Sequence, residues 1–262
     1  MIKKIKSVFI NRLGAWEQRW INLFLNKKQC ISHNRIGMVF FTPNAVCRFR
    51  VKTFSSKEPE TLSWIDSFDN DTVMWDVGAN IGLYSIYAAK AKNVQVVAFE
   101  PSVFNLEFLA KNIHVNQLQK NIVIFPLALS SATGINLFKM NDPVWGGALS
   151  SFGVDFNQHG KDFDVSFEYS TLGLSADRAL DVFNIPRPDY LKIDVDGIEH
   201  FILEGAGGIL KMVKSVLVEI DNDFEEQNEK SRQYLSDSGL VLREKHILLE
   251  GSNQFNQLWI RE

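Results

Sequence analysis

Apolar positions change their period several times along the chain, and each change marks an element. Over residues 2–24 they recur at helical spacing (Ile2, Ile5, Phe9, Leu13, Trp16, Trp20, Phe24), with Lys3, Lys4, Lys6, Arg12 and Arg19 largely between them. A basic amphipathic helix follows from this spacing. It either packs its aromatic stripe on the main domain or rests on an anionic membrane surface, where each cation adds about 1 kcal/mol. Residues 38–54 alternate around Pro43-Asn44 and predict a hairpin, and Glu58-Pro59-Glu60 opens a helix over 61–68.

From residue 73 onward apolar runs of strand length alternate with helical patterns, as expected for a mostly parallel sheet covered on both faces. Strands are predicted at 73–77, 95–100, 122–128, 190–195 and 216–220, with helices at 83–91, 104–116, 199–210 and 223–238. Residues 240–247 and 254–261 read as a closing antiparallel pair. An insertion at about 134–175 interrupts the alternation. In it, residues 135–139 and 165–169 pair around Trp145-Gly146-Gly147, which forms either a mobile aromatic lid or an exposed hairpin tip. The expected organisation is an N-terminal helix and hairpin over 1–57 and an α/β domain over 58–262.

Composition fits one such domain: 262 residues, 45% hydrophobic and 12% aromatic. With 28 basic against 31 acidic side chains, the net charge of -3 gives no reason to expect a nucleic-acid partner. Cys30 and Cys47 lack the spacing of a metal or redox motif, and no apolar run resembles a signal sequence or a membrane span. The expected location is the cytoplasm, free or held at the inner face of a membrane through the N-terminal helix.

The chemistry gathers at predicted strand ends. Asp76-Val77-Gly78-Ala79-Asn80-Ile81-Gly82 joins a strand to a helix, and Gly78 and Gly82 permit a tight turn close to a ligand. A dinucleotide loop would place a pyrophosphate here, but Asp76 repels added phosphate and suits a cationic sulfonium. Glu100, about 20 residues further on, stands where an acid takes the two ribose hydroxyls of an adenosine. Asp76, Gly78, Asn80, Gly82 and Glu100 therefore form a candidate S-adenosylmethionine site, and Ser130 is placed at the same sheet edge for the adenine. Either acid alone would pass as a solvated strand end.

These residues resemble the FkbM family of methyltransferases through the Asp76–Gly82 loop, Phe99-Glu100-Pro101 followed by Asn105, and Ile193-Asp194-Val195-Asp196-Gly197 followed by Glu199. The resemblance covers roughly residue 58 to the C-terminus. It implies a Rossmann-like class I methyltransferase fold, with a mostly parallel seven-stranded sheet and an antiparallel last strand. It also implies S-adenosylmethionine as donor and transfer to a hydroxyl oxygen of a saccharide or glycosylated metabolite. Asp196 replaces the family's usual Glu, and Ser175-Ala176-Asp177 stands where Thr-Leu-Asp is usual.

Methyl transfer from a sulfonium is an in-line displacement, so positioning dominates, and a proton acceptor adds about 10²–10⁴-fold. Asp194 is the first candidate base, with Glu199 and His200 binding acceptor hydroxyls or relaying the proton. Helix capping is the competing account of Glu199 and of Asp196. Asp194, Glu219, Asp221 and Asn222 supply enough oxygens for a Mg²⁺ site, which leaves metal dependence open. The five histidines show no zinc spacing. Other readings are a protein, lipid or RNA acceptor, with RNA disfavoured by charge, a dehydrogenase, and a non-catalytic binding module.

Overall fold

A computed structural model describes residues 2–162, 164–248 and 251–262, with side chains from residue 14 onward. The chain opens with α1 (Ile2–Leu25), a hairpin of β1 (Lys28–His33) and β2 (Ile36–Phe41), and three short helices, α2 (Ala45–Lys52), α3 (Phe54–Lys57) and α4 (Pro59–Asp66). The hairpin lies earlier than residues 38–54. Asn34 and Arg35, with φ of 46° and 68°, turn it in the left-handed conformation that suits right-twisted strands. After Pro43, the Asn44 side chain accepts from the Cys47 N–H and starts α2, so the second half of the expected hairpin is helical.

The aromatic stripe of α1 does not pack on the main domain over its described part: Trp16, Trp20 and Phe24 are each more than half exposed. Ile2, Ile5, Phe9 and Leu13 lie outside the described side chains. The domain surface is covered instead by Met38, Phe40, Phe41, Cys47, Val51 and Phe54. Two asparagines further along the chain fix this cover, Asn112 Oδ1 accepting from Phe41 N at 2.8 Å and Asn116 Oδ1 from Val39 N at 3.0 Å. The stretch from Lys28 to Lys57 therefore shares one core with the residues that follow it.

The central unit contains β3 (Val73–Val77), α5 (Leu83–Lys92), β4 (Gln95–Phe99), α6 (Val103–Val115) and β5 (Ile122–Phe125). Then come β6 (Ala128–Leu129), β7 (Gly134–Met140), β8 (Ser150–Phe152), β9 (Phe167–Leu174) and α7 (Ala176–Val182). The chain closes with β10 (Tyr190–Ile193), α8 (Glu199–Glu204), α9 (Gly207–Leu210), β11 (Ser215–Asp221), α10 (Glu225–Asp237), β12 (Leu240–Ile247) and β13 (Gln254–Arg261). Seven strands form one sheet in the order β12-β13-β11-β10-β3-β4-β5, parallel except for β13. This order is the class I methyltransferase topology, and it reverses direction between β3 and β10, where α/β folds bind ligands.

The period-2 alternation of the central strands assigns their faces. Trp75, Val77, Val97 and Phe99 enter one core layer, while Met74, Val96 and Ala98 enter the other beneath α5 and α6. Two expected elements are divided. Pro126 ends the strand begun at Ile122, and the chain re-emerges as β6 in a second sheet, ordered β6-β9-β7-β8, built mainly by the insertion. The helix expected over 199–210 breaks at Gly205, where a Cβ would lie 2.3 Å from the Ser130 carbonyl oxygen.

Candidate active site

Two cavities meet at the carboxyl ends of β3 and β10 and share Gly78, Asn80, Ala148, Asp194 and Asp196. The first, with about 530 Å³ of free space counted to its open mouth, lies between the Glu100 end of β4 and the insertion sheet. Leu127, Ala128, Leu129, Phe138 and Phe152 give it apolar walls. The second, about 1160 Å³ on the same measure, opens toward the N-terminal helices. It is lined by Arg50, Lys57, Glu58, Tyr84, Lys192 and Glu219 among others.

The glycine loop connects them. Gly78 N and Ala79 N donate to Phe99 O at 3.0 and 3.1 Å, tying the turn to β4. Gly78 has φ +83°, and a Cβ there would stand 1.9 Å from the Asp194 carbonyl oxygen. The residue is glycine because two strand ends nearly touch. Asn80, also at positive φ, donates its N–H to Glu100 Oε2 at 2.8 Å and its side-chain amide to Gly147 O at 2.7 Å. Gly82 faces Leu109 on α6 and lines neither cavity.

Glu100 is 4% exposed, and Ser102 N donates to its Oε1 at 2.8 Å. Burial pushes its carboxyl up to about 7 against these two backbone bonds. Each oxygen retains a lone pair for a ligand hydroxyl in the first cavity.

Asp76 lines neither cavity. Its position in β3 points it under α5, where Oδ2 accepts from Ser85 Oγ at 2.5 Å and Oδ1 is buried without a partner. Its register neighbour in β10 is Lys192, whose ammonium donates to Asp194 Oδ2 at 2.7 Å. Lys192 is 3% exposed. Its burial favours the neutral form, but Asp194 and Asp76 outweigh that and hold the ammonium above its ordinary range. Burial likewise opposes ionisation of Asp194, yet Lys192, with Lys57 and Arg50 further off, holds it at about 2. Asp194 is thus held as an anion by the buried cation beside it.

Asp196 differs. It has φ 63°, and its Oδ2 accepts from Leu149 N at 2.7 Å, which secures the insertion over the junction. Burial and then the Asp194 charge push its carboxyl up to about 6. Glu219 lines the second cavity, and burial with the surrounding carboxylates raises it well above the ordinary range.

Besides Asp76 and Gly82, three more expected site residues line neither cavity. Glu199 is buried beneath the turn and accepts from Val195 N at 3.1 Å, from Gly197 N at 3.0 Å and from Gln227 Nε2 at 2.5 Å, so its oxygens hold protein groups. Burial raises it to about 7. His200, one helical step further, points away toward α10, packs tilted against Phe201 and edge-on to Phe224, and has no partner on either ring nitrogen among the described residues. Burial lowers it to about 4, so it is neutral at pH 7. Ser130 also lines neither cavity, whereas Leu127–Leu129 just before it do.

The tetrad expected for Mg²⁺ does not assemble. Asp221 pairs with His159, Asn222 accepts from Lys245, and no group of three or more metal-ligating side chains occurs among the described residues. Trp145 is neither a lid nor a free tip. It packs on Phe108, its carbonyl accepts from the Asn44 side chain at 2.8 Å, and Gly146 N donates to Asn105 Oδ1 at 2.9 Å.

The sequence of the family described as Methyltransferase FkbM domain matches residues 76–242. The chain belongs to that family. Hexuronic acid methyltransferase AglP of Haloferax volcanii is 26% identical over 172 residues, and the match spans 66% of this chain and 65% of the relative. Methyltransferase FkbM of Methylobacillus flagellatus superimposes with TM-score 0.48 at 18% identity, over 74% of this chain and 44% of that one. M. jannaschii TYW2, in complex with AdoMet, gives 0.46 at 14% identity, over 90% and 87%. No described helix is long and apolar enough to cross a membrane.

Proposed function

We propose that this FkbM-family chain is an S-adenosylmethionine-dependent O-methyltransferase acting on a hydroxyl of a saccharide or glycosylated metabolite. The observation that carries the reading is the meeting of the two cavities at Asp194 and Asp196. One has apolar walls with Glu100 among its lining residues, the combination an adenosine calls for. The other carries several charged side chains and is the larger, with room for a sugar. The hexuronic acid methyltransferase relative supports a saccharide as acceptor.

When bound, S-adenosylmethionine supplies a methyl group activated by a sulfonium. Glu100 takes the ribose hydroxyls, and Leu127–Leu129 with Phe138 and Phe152 enclose the adenine and exclude water. Asp194, held ionised by Lys192, supplies negative charge beside the cationic donor. Asp196 accepts the hydroxyl proton on Oδ1, since Oδ2 is engaged by the insertion backbone. Glu199 acts at a distance by fixing the Val195–Gly197 turn, and His200 by packing. Asp76 acts through Lys192 and Ser85. Holding the acceptor oxygen in line is the largest contribution, worth an effective molarity on the order of 10⁵–10⁸ M.

The test is transfer of radiolabelled methyl from S-adenosylmethionine to a panel of saccharides and to fractionated cell extract. Label in saccharide supports the reading. Label confined to protein or lipid changes the acceptor class, and failure of S-adenosylhomocysteine to bind in calorimetry removes the donor.

A peripheral membrane role for α1 is favoured by the exposed Trp16, Trp20 and Phe24 beside exposed Arg19. Co-sedimentation with anionic vesicles, lost on Trp16→Ala/Trp20→Ala, is the expected result. Equal binding to neutral vesicles counts against the electrostatic part.

A further inference from the structure

The second cavity contains three cations, and their partners differ. Lys192 is neutralised by Asp194 at 2.7 Å, and Lys57 donates to Glu58 at 2.8 Å. Arg50 forms no salt bridge among the described residues. Its Nε donates to Gly146 O at 2.5 Å, which fixes a side chain that lines the cavity and leaves the terminal nitrogens without a protein acceptor among the described residues. Arg50 is half-buried, and its charge is felt at Asp194, Asp196 and Glu100. A guanidinium anchored through Nε presents a planar fork of donors whose geometry matches a carboxylate.

The elements that place this fork are the N-terminal helix α2 and the insertion. Asn44 starts α2 and also ties Trp145, while Cys47 and Arg50, three and six positions on, meet the same loop at Trp145 and Gly146. Arg50 lies outside the segment matched to the family, residues 76–242. It reaches the site from the N-terminal segment, while most of the other lining residues fall within the matched range.

We propose that Arg50 is a carboxylate-binding subsite of the second cavity. It takes either the carboxylate of the donor's methionine moiety or that of an acidic sugar such as a uronate. The inference rests on the donor and acceptor reading above, and it adds that one ligand is held by its carboxylate through the N-terminal segment. The cavity's other charged groups leave this place to Arg50: Glu58, Asp194 and Asp196 repel an anion, and Lys57 and Lys192 already have carboxylate partners.

The experiment compares ligand pairs that differ in the carboxylate, using the full chain and Arg50→Gln, with thermal melting to confirm folding. The donor pair is S-adenosylhomocysteine and 5′-methylthioadenosine, measured by calorimetry. The acceptor pair is glucuronate and glucose, measured by saturation-transfer NMR. In one pair, Arg50→Gln is expected to weaken the carboxylate-bearing member by about 10–100-fold while leaving its counterpart within twofold. Loss in the donor pair assigns the fork to the donor, and loss in the acceptor pair assigns it to the sugar.

The proposal is overturned if Arg50→Gln changes neither pair selectively, leaving all four ligands unaffected or weakening both members of a pair alike, as a mere brace for the loop would. If the wild-type chain binds neither adenosine compound, the donor reading fails, and the glucuronate and glucose pair alone decides the fork.

Discussion

Donor affinity is expected to titrate through Glu100. The carboxyl is 4% exposed, and burial pushes it up to about 7 even though Ser102 N and Asn80 N each donate to one of its oxygens at 2.8 Å. Only the ionised form offers full acceptor strength to two ribose hydroxyls. With a midpoint near 7, roughly one molecule in eleven is ionised at pH 6 and ten in eleven at pH 8, so the dissociation constant falls about tenfold from pH 6 to pH 8. Glu100→Gln removes the charge and retains the shape. Hydrogen bonds to a charged group are worth about 1.5–3 kcal/mol, which predicts affinity about 10–150-fold below the wild-type plateau and no pH dependence near 7. Calorimetric titration with S-adenosylhomocysteine from pH 5.5 to 8.5 measures both. The same shift fixes the sign for folding: with a raised folded pKa, the ligand-free protein loses stability as pH rises from 4.5 through about 7, and donor binding opposes that loss. A flat wild-type profile, or a Glu100→Gln affinity within twofold of wild type, would refute the reasoning.

Three further substitutions probe the junction. Gly78→Ala places a Cβ 1.9 Å from the Asp194 carbonyl oxygen at φ +83°, so thermal or urea unfolding should show a loss of about 3 kcal/mol or more, with donor binding abolished. Lys192→Met strands Asp76 and Asp194 without their cation and should cost about 3–5 kcal/mol at pH 7. Because Asp194 is depressed to about 2 in the fold, its contribution is present above 3.8 and lost as pH falls through about 2, so the deficit should shrink across that window in urea titrations. Asp196→Asn tolerates the positive φ and keeps an oxygen for Leu149 N, so it should fold normally while kcat/KM for the acceptor at saturating donor drops about 10²–10⁴-fold. The wild-type profile should fall as pH drops through about 6, and a variant that keeps that limb would show that another group takes the proton.

Much of the fold was legible in the chain itself. β3, β12 and β13 fall on the residues where the apolar runs predict them, because a buried parallel strand or a closing pair needs those runs whatever surrounds it. The family motif located the glycine turn, Glu100 and the Asp194–Gly197 segment for the same reason: these positions are bound by local geometry. Lys192 carried a signal that the sequence reading passed over, since a lysine inside Tyr190–Ile193 must find an anion. Pro126 was another, a proline within an expected strand.

What only the tertiary structure decided is where each side chain points. Strand alternation sends Asp76 under α5 and away from the ligand cavities, and a single helical step separates Glu199 at the turn from His200 in the core. Asp194, just past the end of β10, is held ionised because the Lys192 ammonium comes alongside it. Arg50 lines the second cavity and bonds to Gly146 across 96 positions of sequence. Periodicity and spacing report the neighbours of a residue along the chain, whereas charge, proton affinity and cavity shape depend on neighbours that only packing supplies.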